Sequence, residues 1–168
     1  LQSIIWPSPD LLVVKINNAV ASLQLSTKQL SIFLKGAQDL EPLALDPETQ
    51  TVLAIKSQNA VRNIWRITTD GRHSKQLTFG EVGSARNLNN VIYFQYANQS
   101  GLWKLNAQEP NHASINDRLP QHSQILGIEG ENVYFVTGGI CHESSIQQLN
   151  LGNSSISTKM QRQDNNLM

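Results

Sequence analysis

Histidine and cysteine are the residues of this chain best suited to chemistry near neutral pH. The histidines are His73, His112, His122 and His142, and the single cysteine, Cys141, directly precedes His142. Histidine titrates near neutral pH, so these side chains could sense acid. Neighbouring residues of an extended segment point to opposite sides, which disfavours a thiol–imidazole pair or a metal site at 141–142. We therefore expect ordinary surface histidines.

Aspartate and serine offer carboxylates and hydroxyls. Asp10, Asp46 and Asp70 stand alone in predicted turns, where a carboxylate accepts hydrogen bonds from nearby backbone amides. Ser8 and Ser84 have no identifiable base partner, and the sequence has no Gly-x-Ser-x-Gly elbow, His-Glu-x-x-His motif or glycine-rich phosphate loop. The sequence therefore predicts no enzyme and no catalytic, cofactor-binding or metal-binding residue.

A repeat of about 40 residues organises the chain. The phrase Ile-Trp-Arg-Ile-Thr at 64–68 returns as Leu-Trp-Lys-Leu-Asn at 102–106, with fainter copies at 22–26 and 146–150. An apolar phrase precedes each copy, and these phrases begin 41, 39 and 42 positions apart, at Leu11, Val52, Val91 and Val133. Self-similarity at this period in short strand-like segments is typical of β-propellers.

Two tryptophans, Trp65 and Trp103, occupy the same position in successive repeats. They could form an aromatic platform for a ligand. Equivalent placement favours a different role, in which one large side chain per repeat fills the space between neighbouring sheets. We predict that both tryptophans pack between neighbouring blades.

The predicted fold is all-β and β-propeller-like, a single domain over 1–168 with four antiparallel four-stranded blades. The four units are expected at approximately 3–38, 41–79, 84–117 and 123–160, with a turn at Asn89-Asn90 inside the third and a polar tail at 161–168.

Propellers usually bind through loops at one face, where several blades converge. In this chain the expected loops are Ser57–Asn63 and Asn98–Gly101, between second and third strands, and Gly138–Ser144 in the fourth unit. All three are polar and have no hydrophobic anchor, so they indicate no ligand class.

Composition excludes some partners. The formal net charge is zero and only 15% of residues are charged, where about 25% is usual, so direct nucleic-acid binding is not expected. One cysteine cannot close a disulfide within the chain. No apolar run approaches the roughly 18 residues of a membrane span, and no signal peptide is recognisable. Because residue 1 is Leu, we expect a targeting segment upstream.

The units resemble the repeats of TolB-type propellers. The residues that carry the resemblance are Pro7–Asp10 and Asp46–Glu48 at the first turn, then 64–68, Asp70-Gly71 and Gln76–Thr78 in the second half of the unit. The resemblance implies a propeller fold. Whether four such units close into a ring stays open.

The amide-rich, lysine-poor repeats are also similar to the extracytoplasmic portion of CadC- and ToxR-like membrane-anchored transcriptional regulators. This resemblance implies a noncatalytic periplasmic module that needs no cofactor and binds another protein or domain, or a small signal. It would reach the membrane only through an upstream segment. Two alternatives are the accessory propeller of a prolyl-oligopeptidase-type peptidase and a TolB-like envelope scaffold.

Overall fold

A computed structural model describes residues 3–88, 91–106, 112–137 and 145–161. These ranges form sixteen β-strands and contain no helix, which confirms the predicted all-β class. The strands make four antiparallel sheets of four strands, and each sheet keeps its strands in chain order. Each sheet is therefore built like one blade of a propeller.

The strand bounds follow the repeat closely. Sheet 1 contains β1 (Ser3–Ser8), β2 (Leu11–Ile16), β3 (Ala19–Gln24) and β4 (Gln29–Lys35). Sheet 2 contains β5 (Leu40–Asp46), β6 (Thr51–Gln58), β7 (Val61–Thr68) and β8 (Ser74–Gln76). Sheet 3 contains β9 (Val82–Leu88), β10 (Val91–Tyr96), β11 (Leu102–Asn106) and β12 (His112–Asn116). Sheet 4 contains β13 (Gln124–Glu129), β14 (Asn132–Thr137), β15 (Ser145–Asn150) and β16 (Ile156–Gln161).

The strands divide between two compact units. Residues 3–82 form the first, and the described residues of 83–106 and 112–161 form the second. The single domain expected over 1–168 stays a prediction. The turn predicted at Asn89-Asn90 lies outside the described residues, as does most of the predicted tail, since β16 ends at Gln161.

In the first unit, sheets 1 and 2 pack face to face. They share one layer of buried side chains, formed by Val13, Val20, Leu34 and Ala37 with Leu40, Val52, Ala54 and Ile67. A strand that is buried on both faces has an apolar run rather than a strict alternation of apolar and polar residues. Residues 52–55 of β6 are accordingly all buried.

In the second unit, sheets 3 and 4 contribute to another apolar cluster. Its members are fully buried: Leu102, Leu119, Ile125, Val133, Phe135 and Leu149. The hydroxyl of Ser84 on β9 accepts the backbone amide of Ile125 on β13 at 3.0 Å, which joins the first strands of these two sheets.

The prediction of a polar loop over Ser57–Asn63 is wrong. Strands β6 and β7 pair as far as Gln58 opposite Val61, so only Asn59 and Ala60 form the connection. Both have positive φ, 51° and 63°, as a two-residue hairpin of type I′ requires. The polar residues at 57–58 and 62–63 belong to strand ends, because ladder hydrogen bonds use the backbone and tolerate polar side chains.

The short outer strand of sheet 2 is secured by Thr78, which is fully buried. Its Oγ1 accepts the backbone amide of Ile64 at 2.9 Å, and the amide of Leu77 donates to the carbonyl of Ile64 at 2.8 Å. The Asn63 side-chain nitrogen, in the orientation that satisfies its surroundings, donates to the carbonyls of Thr78 (2.7 Å) and Gly80 (2.9 Å). The Gln-Leu-Thr phrase of the repeat thus extends the sheet beyond β8.

We predict that Thr78→Val destabilises the protein by about 1–3 kcal/mol, because the isosteric side chain leaves the buried Ile64 amide without an acceptor. Urea unfolding followed by circular dichroism measures the change. The matched control is Thr158→Val on the exposed part of β16, which should change stability by no more than about 0.5 kcal/mol. Equal losses in the two variants would contradict this role for Thr78.

Candidate functional site

A groove of about 300 Å³ opens at the edge of the layer shared by sheets 1 and 2, within the first unit. We call it the inter-sheet groove. The residues lining it are Leu11, Ser22, Ser31, Phe33, Leu45, Pro47, Gln50 and Thr69. None of these side chains carries a charge, so the groove combines an apolar surface with neutral hydroxyl and amide groups.

The sheet 1 wall is shaped by a β-bulge. Val20 pairs with Leu34 and Ala21 with Ile32, which leaves Phe33 as the extra residue of β4. Ser22 and Ser31 lie directly opposite each other on β3 and β4. Within the described part of the chain their hydroxyls have no hydrogen-bond partner, so both are available to a ligand.

The sheet 2 wall is held by the turn between β5 and β6. Asp46 accepts the backbone amides of Glu48 and Thr49 and the Thr49 hydroxyl, at 3.0, 3.3 and 2.7 Å. Gln50, at φ 52°, donates through Nε2 to the Pro47 carbonyl at 2.7 Å. Its own carbonyl accepts the amide of Thr69 at 2.9 Å. These contacts fix the wall before any ligand arrives.

The other two predicted turn aspartates are also engaged in hydrogen bonds. Asp70 accepts the Arg72 amide at 3.0 Å and the Thr68 hydroxyl at 2.5 Å, as expected of a turn residue. Asp10 differs from the expected turn residue, because its carboxylate accepts hydrogen bonds from the hairpin formed by β3 and β4. It accepts the backbone amide of Ser26 at 2.7 Å, the Ser26 hydroxyl at 2.8 Å and the Gln24 side chain at 2.5 Å.

Trp65 packs between sheets 1 and 2, in agreement with its predicted role. The half-buried ring contacts the shared apolar layer. The Lys56 ammonium lies 4.9 Å from the ring centroid, a cation–π distance. These contacts place the ring in the packing between the two sheets.

Trp103 lies in an aromatic cluster within sheet 3. Its ring is 6.3 Å from that of Phe94 in a stacked arrangement and 5.0 Å from that of Tyr96 in an edge-to-face one. Tyr96 Oη is 3.3 Å from Nε2 of His112, and burial raises the pKa of this tyrosine. The described contacts of Trp103 belong to its own sheet, so packing between blades stays a prediction for this residue.

The structure also describes two further histidines, His73 and His122, and the serine Ser84. The side chains of His73 and His122 are exposed, and the hydroxyl of Ser84 is used by the Ile125 amide. Cys141 and His142 lie outside the described residues, as does the loop Gly138–Ser144. No group of three His, Cys, Asp or Glu side chains within the described ranges could hold a metal ion.

The predicted loop Asn98–Gly101 is present between β10 and β11. Gln95, almost completely buried, donates through Nε2 to the carbonyls of Gly101 (3.3 Å), Leu119 (3.4 Å) and Pro120 (2.8 Å). The amide of Gly101 also donates to the Leu119 carbonyl at 2.7 Å. This loop is tied to the connection between sheets 3 and 4.

Among the described residues, no helix is long and apolar enough to cross a membrane.

The sequence analysis did not identify the inter-sheet groove. The sequence contained one indication of the groove. Ser22 and Ser31 are polar, although they lie on the strand faces whose other residues pack into the shared layer. The bulge at Phe33, which shapes this wall, leaves no comparable mark in the sequence.

Comparison with known proteins clarifies the fold. No protein-family model matches the chain. No curated protein sequence matches it either. Solved structures do match, among them TolB from Acinetobacter baumannii (12% identity, TM-score 0.59) and the putative TolB from Agrobacterium tumefaciens (16% identity, TM-score 0.61). The four sheets are similar to the blades of TolB-like propellers.

A third similar structure comes from a nidogen–laminin complex, at 13% identity and a TM-score of 0.58. The alignments cover 88% of this chain for the Acinetobacter protein and 92% for each of the other two. They cover 39%, 63% and 62% of those chains, respectively. At these identities the similarity shows the fold alone, and the present chain spans less than two thirds of each neighbour.

We predict that stability falls as the pH drops below about 4. Hydrogen bonds from the hydroxyls of Ser26, Thr49 and Thr68 are the main cause that lowers the pKa of Asp10, Asp46 and Asp70, respectively, below the ordinary 3.8. Because the folded-state pKa values are depressed, this stabilisation is present above pH 3.8 and is lost as the pH falls through the lower folded-state values.

The check is urea unfolding at about pH 6 and about pH 3 for the wild type and for the triple variant Asp10→Asn, Asp46→Asn, Asp70→Asn. The variant should lose less stability between the two pH values. Ser26→Ala, which removes a donor to Asp10, should shift the pH dependence in the same direction. An unchanged pH dependence in the triple variant would show that these carboxylates are not responsible.

Proposed function

We propose that this chain is a noncatalytic interaction module that binds a short, uncharged, extended segment of another protein in the inter-sheet groove. The observation that carries the proposal is the groove's neutral lining, with the free hydroxyls of Ser22 and Ser31 beside Phe33 and Leu45. A peptide backbone needs donors and acceptors, which the hydroxyls supply. An unpaired charge would lose its hydration without compensation, so charged segments are disfavoured.

The size of the groove limits what enters it. Its volume of about 300 Å³ is at the small end of ligand pockets, which span roughly 300–1,000 Å³. Only a few side chains of a partner fit, and the rest of the contact would use the adjacent outer strand, β4. One of the similar solved structures comes from a complex of two proteins, nidogen and laminin, which supports a protein partner for this fold.

We further propose that the module acts outside the cytoplasm, in the periplasm, as the sensory part of a CadC- or ToxR-like membrane-anchored transcriptional regulator. The neutral, amide-rich composition and the TolB-like fold support this location. The second candidate is a TolB-like envelope scaffold, favoured by the similarity to two TolB structures. No observation in the structure favours the accessory propeller of a peptidase.

The sequence on either side of the chain separates the two candidates. A winged helix and one membrane span upstream would support the regulator. A signal peptide with no DNA-binding domain would support the scaffold and exclude the regulator.

We predict that Ser31→Arg weakens partner binding by at least about tenfold, because the long charged side chain fills the groove. The matched control is Ser157→Arg, which replaces an exposed serine on the outer strand of sheet 4. Proteins retained from a periplasmic extract are first identified by mass spectrometry. Fluorescence anisotropy then measures the affinity of uncharged peptides from those proteins for the three forms of the chain.

The control should bind like the wild type. Equal binding by wild type and Ser31→Arg would place the partner elsewhere and contradict the proposed site. Retention of no protein by the wild type would contradict the interaction role.

A further inference from the structure

The face of sheet 1 that points away from sheet 2 is apolar across all four strands. Ile4, Val14, Ala21 and Ile32 lie opposite one another on successive strands. A second row next to it runs through Leu12, Leu23 and Leu30. We call this surface the open face of sheet 1.

The exposure of the open face is high at its two outer strands. Ile4 is 50% exposed on β1, and on β4 Leu30 and Ile32 are 51% and 55% exposed. A cleft of about 480 Å³ crosses the face, lined by Ile16, Ala19, Ala21, Leu30 and Ile32. The one charged residue of this cleft is Lys35, so the surface has almost no charge to hydrate.

This arrangement differs from scattered surface hydrophobics. Along β4 the side chains alternate, so that Ser31 lines the inter-sheet groove while Leu30 and Ile32 lie on the open face. Ser31 thus lies on the side of β4 that faces sheet 2. The larger aliphatic side chains of Leu30 and Ile32 lie on the opposite side, which sheet 2 does not cover. A contiguous exposed apolar patch of this kind marks an interaction surface.

We propose that a second copy of this chain covers the open face, so that two copies of sheet 1 pack face to face. Sheet 1 already accepts a four-stranded sheet on its other face. An identical open face has the matching aliphatic character, and a net charge of zero means that two copies do not repel each other at long range. The pairing is isologous, since the same surface is used by both copies.

The dimensions of the sheet set the strength of the association. Strands of six or seven residues at about 3.3 Å per residue, and four strands about 4.8 Å apart, give a face of roughly 400 Å² on each copy. Because Val14 and Ala21 at the centre of the face are already buried, the pair buries at most roughly 800 Å² in projection, in the range of weak and transient interfaces. A reversible, concentration-dependent dimer is expected.

Sedimentation velocity of the chain over roughly 1–500 μM tests the proposal. The wild type should shift from monomer to dimer within this range. Leu30→Lys with Ile32→Lys, and separately Leu30→Glu with Ile32→Glu, should both remain monomeric, because each would bury unpaired charges in an apolar interface.

The matched control is Leu126→Lys, which adds a charge at an exposed leucine of sheet 4 and should dimerise like the wild type. Circular dichroism and thermal unfolding establish that each variant is folded. A monomeric wild type at the highest concentration would overturn the proposal. Dimers in either folded double variant, lysine or glutamate, would also overturn it.

Discussion

The structure of the first unit depends on one layer of apolar side chains that two sheets share. Neither sheet 1 nor sheet 2 can bury this layer alone, because each is a single four-stranded sheet whose inner strands are apolar on both faces. Val13 and Val20 come from one sheet, Val52 and Ala54 from the other. The same requirement explains why repeats of this kind occur in series.

The inter-sheet groove lies where the shared layer ends. Ser22 and Ser31 belong to the strands that carry Val20 and Leu34, so the backbone pairing of β3 and β4 positions them. The opposite wall is fixed by the hydrogen bonds of Asp46 and Gln50. A rigid groove loses little conformational entropy on binding, which suits the proposed recognition of a short extended segment.

The repeat was sufficient to predict four four-stranded units, because the period near 40 residues and the apolar phrases locate the inner strands. It also predicted Trp65 in the packing between sheets and Asp46 in a turn. The connection at Asn59-Ala60 was not predictable from polarity, since the strand ends on both sides are polar as well. The groove was missed for a different reason: it depends on the bulge at Phe33 and on the pairing register, which are properties of the folded sheets.

Native-state hydrogen exchange on Val52→Ala is the measurement that tests the shared layer most directly. Val52 is fully buried on β6 and belongs to the layer. If the two sheets depend on each other, the truncation should lower the protection of backbone amides in β2 as well as in β6 and β7, and leave sheet 4 unchanged. A loss of protection confined to sheet 2 would contradict the account.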